Sequence, residues 1–184
     1  LRMHDPARAW AFLEDSDRIS DADEVQAAVR RIAGEINGKL SETYPLVLVV
    51  MAGAVVFAGQ LLPLLHFPLD LDYVHASRYG NETAGGALDW RVAPPVAVRD
   101  RTVLLLDDIL DGGTTLLAIR DRLREQGVAR VLSAVLVEKV LAVAKPIAAD
   151  FVGLRIPDRF VFGCGMDAKG YWRNLPEIRA MKST

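Results

Sequence analysis

Residues 103–115 read VLLLDDILDGGTT, and no other stretch constrains the chain as tightly. Val103 to Leu106 form a short, branched, apolar run, too short for a helix and suited to a strand buried on both faces. Asp107 and Asp108 follow at once, then two apolar residues, a third carboxylate at Asp111, the pair Gly112 and Gly113, and the pair Thr114 and Thr115. From Thr114 to Gln126 the spacing turns helical, with Leu117, Ile119 and Leu123 apolar and Arg120, Arg122, Arg124 and Glu125 polar. The order is therefore strand, acidic loop, glycine turn, helix start. The glycines let the backbone turn tightly and approach a ligand. The free amides of the helix N-terminus favour an anion, and the two threonines add hydroxyl donors, so the turn suits a phosphate.

Three aspartates beside an anion site need a reason, because carboxylates repel a bare phosphate. They make sense if the ligand also carries sugar hydroxyls, a metal, or a proton to exchange. A ribose 5-phosphate meets these conditions, with its phosphate in the glycine–threonine turn and its hydroxyls at Asp107 and Asp108. No Lys follows the glycines at P-loop spacing, and the turn is not the GxGxxG of dinucleotide sites.

With 184 residues, 51% of them hydrophobic, the chain can bury a core as one domain, or one domain with a small flap. A net charge of −2 offers no basic field, which argues against a bulk nucleic-acid binder. The single cysteine, Cys164, excludes an internal disulfide and suits a reducing compartment. The longest apolar stretch, residues 46–59, is too short to span a bilayer and contains two glycines. These features lead to the expectation of a soluble, cytoplasmic protein that engages neither nucleic acid nor membrane.

The rest of the chain reads as an alternation of helices and strands. Helices are expected at residues 6–14, with Pro6 in the first turn, and at 21–36, capped by Ser20 and stopped near Gly38. Residues 46–51 read as a buried strand, Ala52 and Gly53 as its turn, and 54–62 as a helix ended by Pro63. Residues 69–76 alternate as a strand with one wet face. Residues 77–91, SRYGNETAGGALDWR, read as an exposed loop or a lid. Strands are expected at 102–106 and 129–137. From Lys145 on, short apolar runs alternate with polar turns and read as a flap. The fold class is α/β: a doubly wound, mostly parallel sheet flanked by helices, with ligands at the strand C-termini. It forms one domain over 1–184, with a core at about 40–140 and a small hood from about 1–20 and 141–184. Ala52 and Gly53, the 107–115 loop, and Glu138 with Lys139 all fall at strand C-terminal ends.

The 103–115 segment resembles the 5-phosphoribosyl-1-pyrophosphate (PRPP) signature of type I phosphoribosyltransferases, and the resemblance extends in order over roughly residues 40–180. Its details are similar to the hypoxanthine-guanine branch. The resemblance implies purine salvage: PRPP and hypoxanthine or guanine give IMP or GMP and pyrophosphate, with Mg²⁺ as cofactor. It implies that Asp111 handles the proton at purine N7, that residues 111–115 hold the 5′-phosphate, and that Lys139 donates to the purine O6. Phe160 would stack on the base while the main chain of Val161 reads its edge. Asp167 would bind metal beside the base, with Asp107 and Asp108 within reach of it, and Arg173 would bind pyrophosphate together with the loop at Ala52 and Gly53. A lid would start at Arg78 and Tyr79, and a homodimer or homotetramer is expected. Three departures from the pattern stand out: Ala52 replaces a basic residue, Gly112 replaces a usual Thr, and Thr114 stands where Lys is common. Arg78 also takes the place of the usual Ser. Two other readings remain open: an enzyme preferring xanthine, which differs from guanine only at C2, and a PRPP- or nucleotide-sensing regulator that keeps the fold and binds nucleic acid.

Overall fold

The structure is a computed structural model that describes residues 5–78, 88–95 and 97–182. Its centre is a six-stranded sheet of β2 (Leu46–Val50), β3 (Asp70–Arg78), β4 (Leu88–Val92), β5 (Thr102–Leu110), β6 (Arg130–Val140) and β7 (Phe151–Pro157). Their order in the sheet is β4-β3-β2-β5-β6-β7. All neighbours run parallel except β3 and β4.

The central strand β5 explains the two-sided core. Successive side chains point to opposite faces. Leu104 and Leu106 join the cluster beneath α2 (Ala22–Leu40) and α3 (Val55–Leu61), with Val29, Ile32 and Phe57. Val103 and Leu105 join the cluster beneath α4 (Thr114–Glu125), with Leu116, Ile119 and Leu123. Each of these leucines is fully buried, worth about 1.5–3 kcal/mol relative to exposure.

Several boundaries differ from expectation. Helix α2 is capped by Asp21, not Ser20: Asp21 Oδ1 accepts from the Glu24 amide at 2.9 Å, and Glu24 Oε2 accepts from the Asp21 amide at 2.9 Å. Ser20 is instead the last residue of β1 (Ser16–Ser20). The helix runs through Gly38 to Leu40, because burying Leu40 outweighs a cost of about 1 kcal/mol for glycine in a helix. Strand β5 extends past Leu106, pairing with β6 as far as Leu110 and Glu138. Asp107 and Asp108 therefore sit in a strand rather than in a loop. The wet face of β3 is the apolar one, with Leu71 and Tyr73 exposed while Asp70 pairs with Arg101 at 2.7 Å. Within the 77–91 segment, β4 folds back onto β3, with Asp89 opposite Ser77. Tyr79 and the rest of 79–87 lie outside the described residues, and Arg78 is described only as the end of β3.

The segment from 141 onward does not stay together. Residues 151–157 leave the expected hood and form β7, the edge strand of the main sheet. A run of alternating apolar residues fits either sheet, and parallel pairing with β6 decides it. The last two strands, β8 (Val161–Phe162) and β9 (Ile178–Met181), join β1 in a second, antiparallel sheet ordered β1-β9-β8. The short helix α1 (Pro6–Glu14) precedes β1. Among the described residues, no helix is long and apolar enough to cross a membrane.

Candidate active site

The C-terminal ends of β2, β5 and β6, with the residues just after them, bring their side chains to one end of the main sheet. At the end of β5 the chain turns through Gly113, which is the N-cap of α4 and has φ +82°. No side chain caps this helix, so its first amides are unclaimed. A cavity of about 360 Å³ lies over them, lined by Asp107, Gly112, Gly113, Thr114 and Thr115 among others. A Cβ on Gly112 would meet nothing within 4 Å, whereas a Cβ on Gly113 would press on Ile147 Cγ2 at 2.9 Å. The two glycines thus have different jobs: Gly113 makes the turn and Gly112 leaves the space.

Asp107 and Asp108 are consecutive in β5 and both line this cavity. Asp107 is only 7% exposed and accepts from the Asp108 amide at 3.0 Å. Burial, reinforced by the neighbouring Asp108 charge, pushes its carboxyl well above the ordinary carboxylate range. Burial also raises Asp108. The Arg173 charge partly offsets this at Asp108, whereas Asp107 is short of a positive partner, an arrangement that hydroxyl donors or a hard cation would relieve. Asp108 lies against Gly53, where any Cβ would overlap its carboxylate. On the other side, a Cβ on Gly165 (φ +100°) would overlap the Gly53 carbonyl oxygen. Gly53 is therefore held between Asp108 and Gly165. The neighbouring Met51–Ala52 peptide is cis, and Ala52 is exposed.

A second cavity, of about 210 Å³, adjoins Asp108 and Asp111 and is lined by Lys139, Phe160, Val161, Asp167 and Arg173. Lys139 Nζ donates to Asp111 Oδ2 at 2.9 Å and lies 3.7 Å from Asp158 Oδ1. Phe160 is 53% exposed at the rim, which is not the burial of a core aromatic. Arg173 pairs with Asp167 Oδ1 and donates to the Gly165 carbonyl at 2.6 Å. Asp167 Oδ2 accepts from the Gly170 amide at 2.6 Å, which closes the turn between the two residues.

All the sequence-predicted residues that are described, apart from Arg78, thus gather around these two adjoining cavities or the loop at Gly53. Three further residues were not expected. Asp158 is a second partner for Lys139. Gly165 admits the 51–54 loop, and the GCG pattern at residues 163–165 is its only sequence signal. Lys145 is 10% exposed and donates to the carbonyls of Leu110 and Lys139 and to Glu138, tying the ends of β5 and β6 together. Nothing local in the sequence marks it.

Among the described residues, no group of three His, Cys, Asp or Glu side chains could enclose a metal ion. Asp107, Asp108 and Asp167 are nonetheless hard oxygen donors on the two adjoining cavities. That suits Mg²⁺, which takes one or two protein carboxylates and completes its octahedron with water and substrate oxygens.

The raised Asp107 carboxyl has a measurable consequence. A buried carboxyl with a raised pKa favours the protonated form in the folded state, so its contribution to stability is lost as pH rises through that pKa. Asp107→Asn should therefore melt higher than the parent, without ligand, at pH 8, and the gap should close as pH falls toward the ordinary carboxylate range. Thermal melts at several pH values check this, and equal melting temperatures throughout would contradict it.

Beside this geometry stand the likenesses of the whole chain to known proteins. The model of the phosphoribosyl transferase domain matches residues 15–169, and the chain belongs to that family. A hypoxanthine-guanine phosphoribosyltransferase of Bacillus subtilis is 32% identical over 161 residues, covering 87% of this chain and 89% of that one. A hypoxanthine-guanine-xanthine phosphoribosyltransferase of Tritrichomonas foetus is 28% identical over 175 residues, covering 94% and 96%. The crystal structure of a hypoxanthine-guanine phosphoribosyltransferase from Bacillus anthracis superposes with a TM-score of 0.84 at 28% identity, covering 89% of this chain and 97% of that one.

Proposed function

We propose that this phosphoribosyltransferase acts in purine salvage, moving the 5-phosphoribosyl group of PRPP to hypoxanthine or guanine to give IMP or GMP and pyrophosphate. The observation that carries the choice of base is the contact between Lys139 and Asp111. An ammonium can only donate, and an ionised carboxylate can only accept. Side by side at 2.9 Å, they match the adjacent O6 acceptor and N7–H donor of a 6-oxopurine, which would part them on binding.

The remaining roles are those the sequence and its resemblance imply, and the grouping of these residues around the two cavities supports them. The 5′-phosphate sits over Gly112 and Gly113 against the α4 amides and the hydroxyls of Thr114 and Thr115. Asp107 and Asp108 accept from the ribose hydroxyls. The base stacks on Phe160, with the Val161 main chain and Asp167 at its edge. Pyrophosphate lies between the loop at Ala52 and Gly53 and the guanidinium of Arg173. Purine N9 bonds to C1′ of the ribose as the C1′–oxygen bond breaks and the electron pair leaves with pyrophosphate. The N7 proton passes to Asp111. When bound, Mg²⁺ would be held by Asp167, with Asp107 and Asp108 nearby, and would neutralise charge on the pyrophosphate oxygens. A cytoplasmic setting and a homodimeric or homotetrameric state belong to the same proposal. Cys164, buried with its thiol pushed up to about 11, suits reducing surroundings.

The phosphate turn supplies the test. Titration of IMP and GMP should show binding, and Gly112→Val should weaken both at least about 10-fold, since the new side chain fills open space that the phosphate needs. Because Gly112 has no close neighbour, the melting temperature should change little. Nucleotide binding at parental strength in Gly112→Val would mean the anion site lies elsewhere.

A further inference from the structure

The Asp167 to Arg173 turn carries two residues of the site, yet it is gripped from outside by α1. Within the turn, Lys169 (φ +54°) and Gly170 (φ +92°) form the tip. Trp172, immediately before Arg173, has φ +65°, a left-handed backbone that a bulky side chain rarely adopts. Something must hold it there. The Trp172 indole N–H donates to the Ala9 carbonyl of α1 at 2.7 Å. Its ring meets Trp10 edge-on, with centroids 4.9 Å apart. On the other side of the tip, the Lys169 ammonium lies 5.9 Å from the centre of the Phe12 ring.

Helix α1 has no core of its own. None of its residues is fully buried, and Trp10 is 57% exposed. The helix is anchored instead through Phe12, whose ring meets the buried Phe162 edge-on at 5.7 Å, and through β1, which pairs with β9. A helix anchored elsewhere that turns Trp10 and the Ala9 carbonyl onto Trp172 holds that turn in place. The turn in question aims Arg173.

We propose that α1 is a strap that sets the pyrophosphate end of the site, with Trp172 the positioning residue and Trp10 its brace. This rests on the reading that Arg173 receives pyrophosphate. Loosening the strap lets Trp172 leave its left-handed backbone, and Arg173 then loses its fixed direction. PRPP and pyrophosphate feel the change most, because Arg173 follows Trp172 directly, while the base keeps Lys139, Phe160 and Val161 and feels it only weakly, through Asp167 at the far end of the turn.

The experiment uses the full chain. Trp10→Ala removes an exposed ring that touches no ligand. It should raise KM for PRPP about 5-fold, the scale of one edge-to-face aromatic pair. KM for hypoxanthine and kcat at saturating PRPP should stay within about twofold, and Trp10→Phe should recover most of the loss. Trp172→Phe, which keeps a ring but loses the indole donor, should act in the same direction. The two effects should combine to less than their product. Titration of pyrophosphate with Mg²⁺ separates the two possible failures. If the parent protein does not bind pyrophosphate, the assignment of Arg173 fails. If the parent binds it and Trp10→Ala binds equally tightly, the strap is wrong. Equal rises in KM for PRPP and for hypoxanthine, with a lower melting temperature, would also overturn it, because that is general loosening.

Discussion

Asp111→Asn is expected to lower kcat by about 100-fold or more, the usual scale for losing a positioned acid or base. Asn cannot take the N7 proton, and its amide can also turn a donor toward N7–H. The fold should survive, because Asp111 is exposed at the mouth of the site and its side-chain partner is Lys139. KM for PRPP should move little, since the 5′-phosphate turn keeps its amides and threonines. Lys139 keeps Asp158, 3.7 Å away, and so is not left without a counter-charge. Steady-state kinetics and a thermal melt decide the matter: near-normal turnover in a stable Asp111→Asn protein would falsify the role.

Lys139→Gln is expected to collapse the preference between purines. The parent should use hypoxanthine at least tens of times better than adenine, because an ammonium facing the C6 amine leaves two donors unpaired, a loss of about 1–3 kcal/mol or more. The Gln amide can donate or accept, so the preference should shrink mainly through lost activity on 6-oxopurines. The substitution also removes the contact with Asp111 at 2.9 Å, so some activity should be lost with every base. The ratio of kcat/KM for hypoxanthine over adenine, measured in both proteins, is the readout. An unchanged ratio would mean that Lys139 does not read the base.

The glycine turn and the helix start after β5 were legible in the sequence because their signals are local. Seven consecutive residues, Asp107 to Gly113, carry the acids and the glycines, and the helix that offers its amides starts at the next residue. The sheet was legible for a similar reason, since apolar runs the length of a strand alternate with helical spacing. Strand ends were not. Asp107 and Asp108 look like loop residues, and only pairing with β6 keeps them in β5. The run at 151–157 carries the same local pattern whether it joins the main sheet or the smaller one, so its place depends on a partner more than ten residues away in sequence. Asp21 and Glu24 do spell a capping box, but Ser20 one residue earlier offers an equally good cap on paper. What stayed hidden is the contact made across the fold. Gly165 is needed because Gly53 lies against it, and Lys145 because Leu110 and Lys139 end beside it. Lys139 and Asp111, 28 positions apart, could be paired from sequence only through the resemblance, and the structure places them in contact.

The most direct measurement is turnover of hypoxanthine, guanine, xanthine and adenine with PRPP and Mg²⁺, following nucleoside monophosphate and pyrophosphate together. The expected result is equal amounts of the two products from hypoxanthine and guanine, and at least tens of times less from adenine. Turnover of adenine as fast as hypoxanthine, or no nucleotide from any of the four, would contradict the reading of this site as a 6-oxopurine phosphoribosyltransferase.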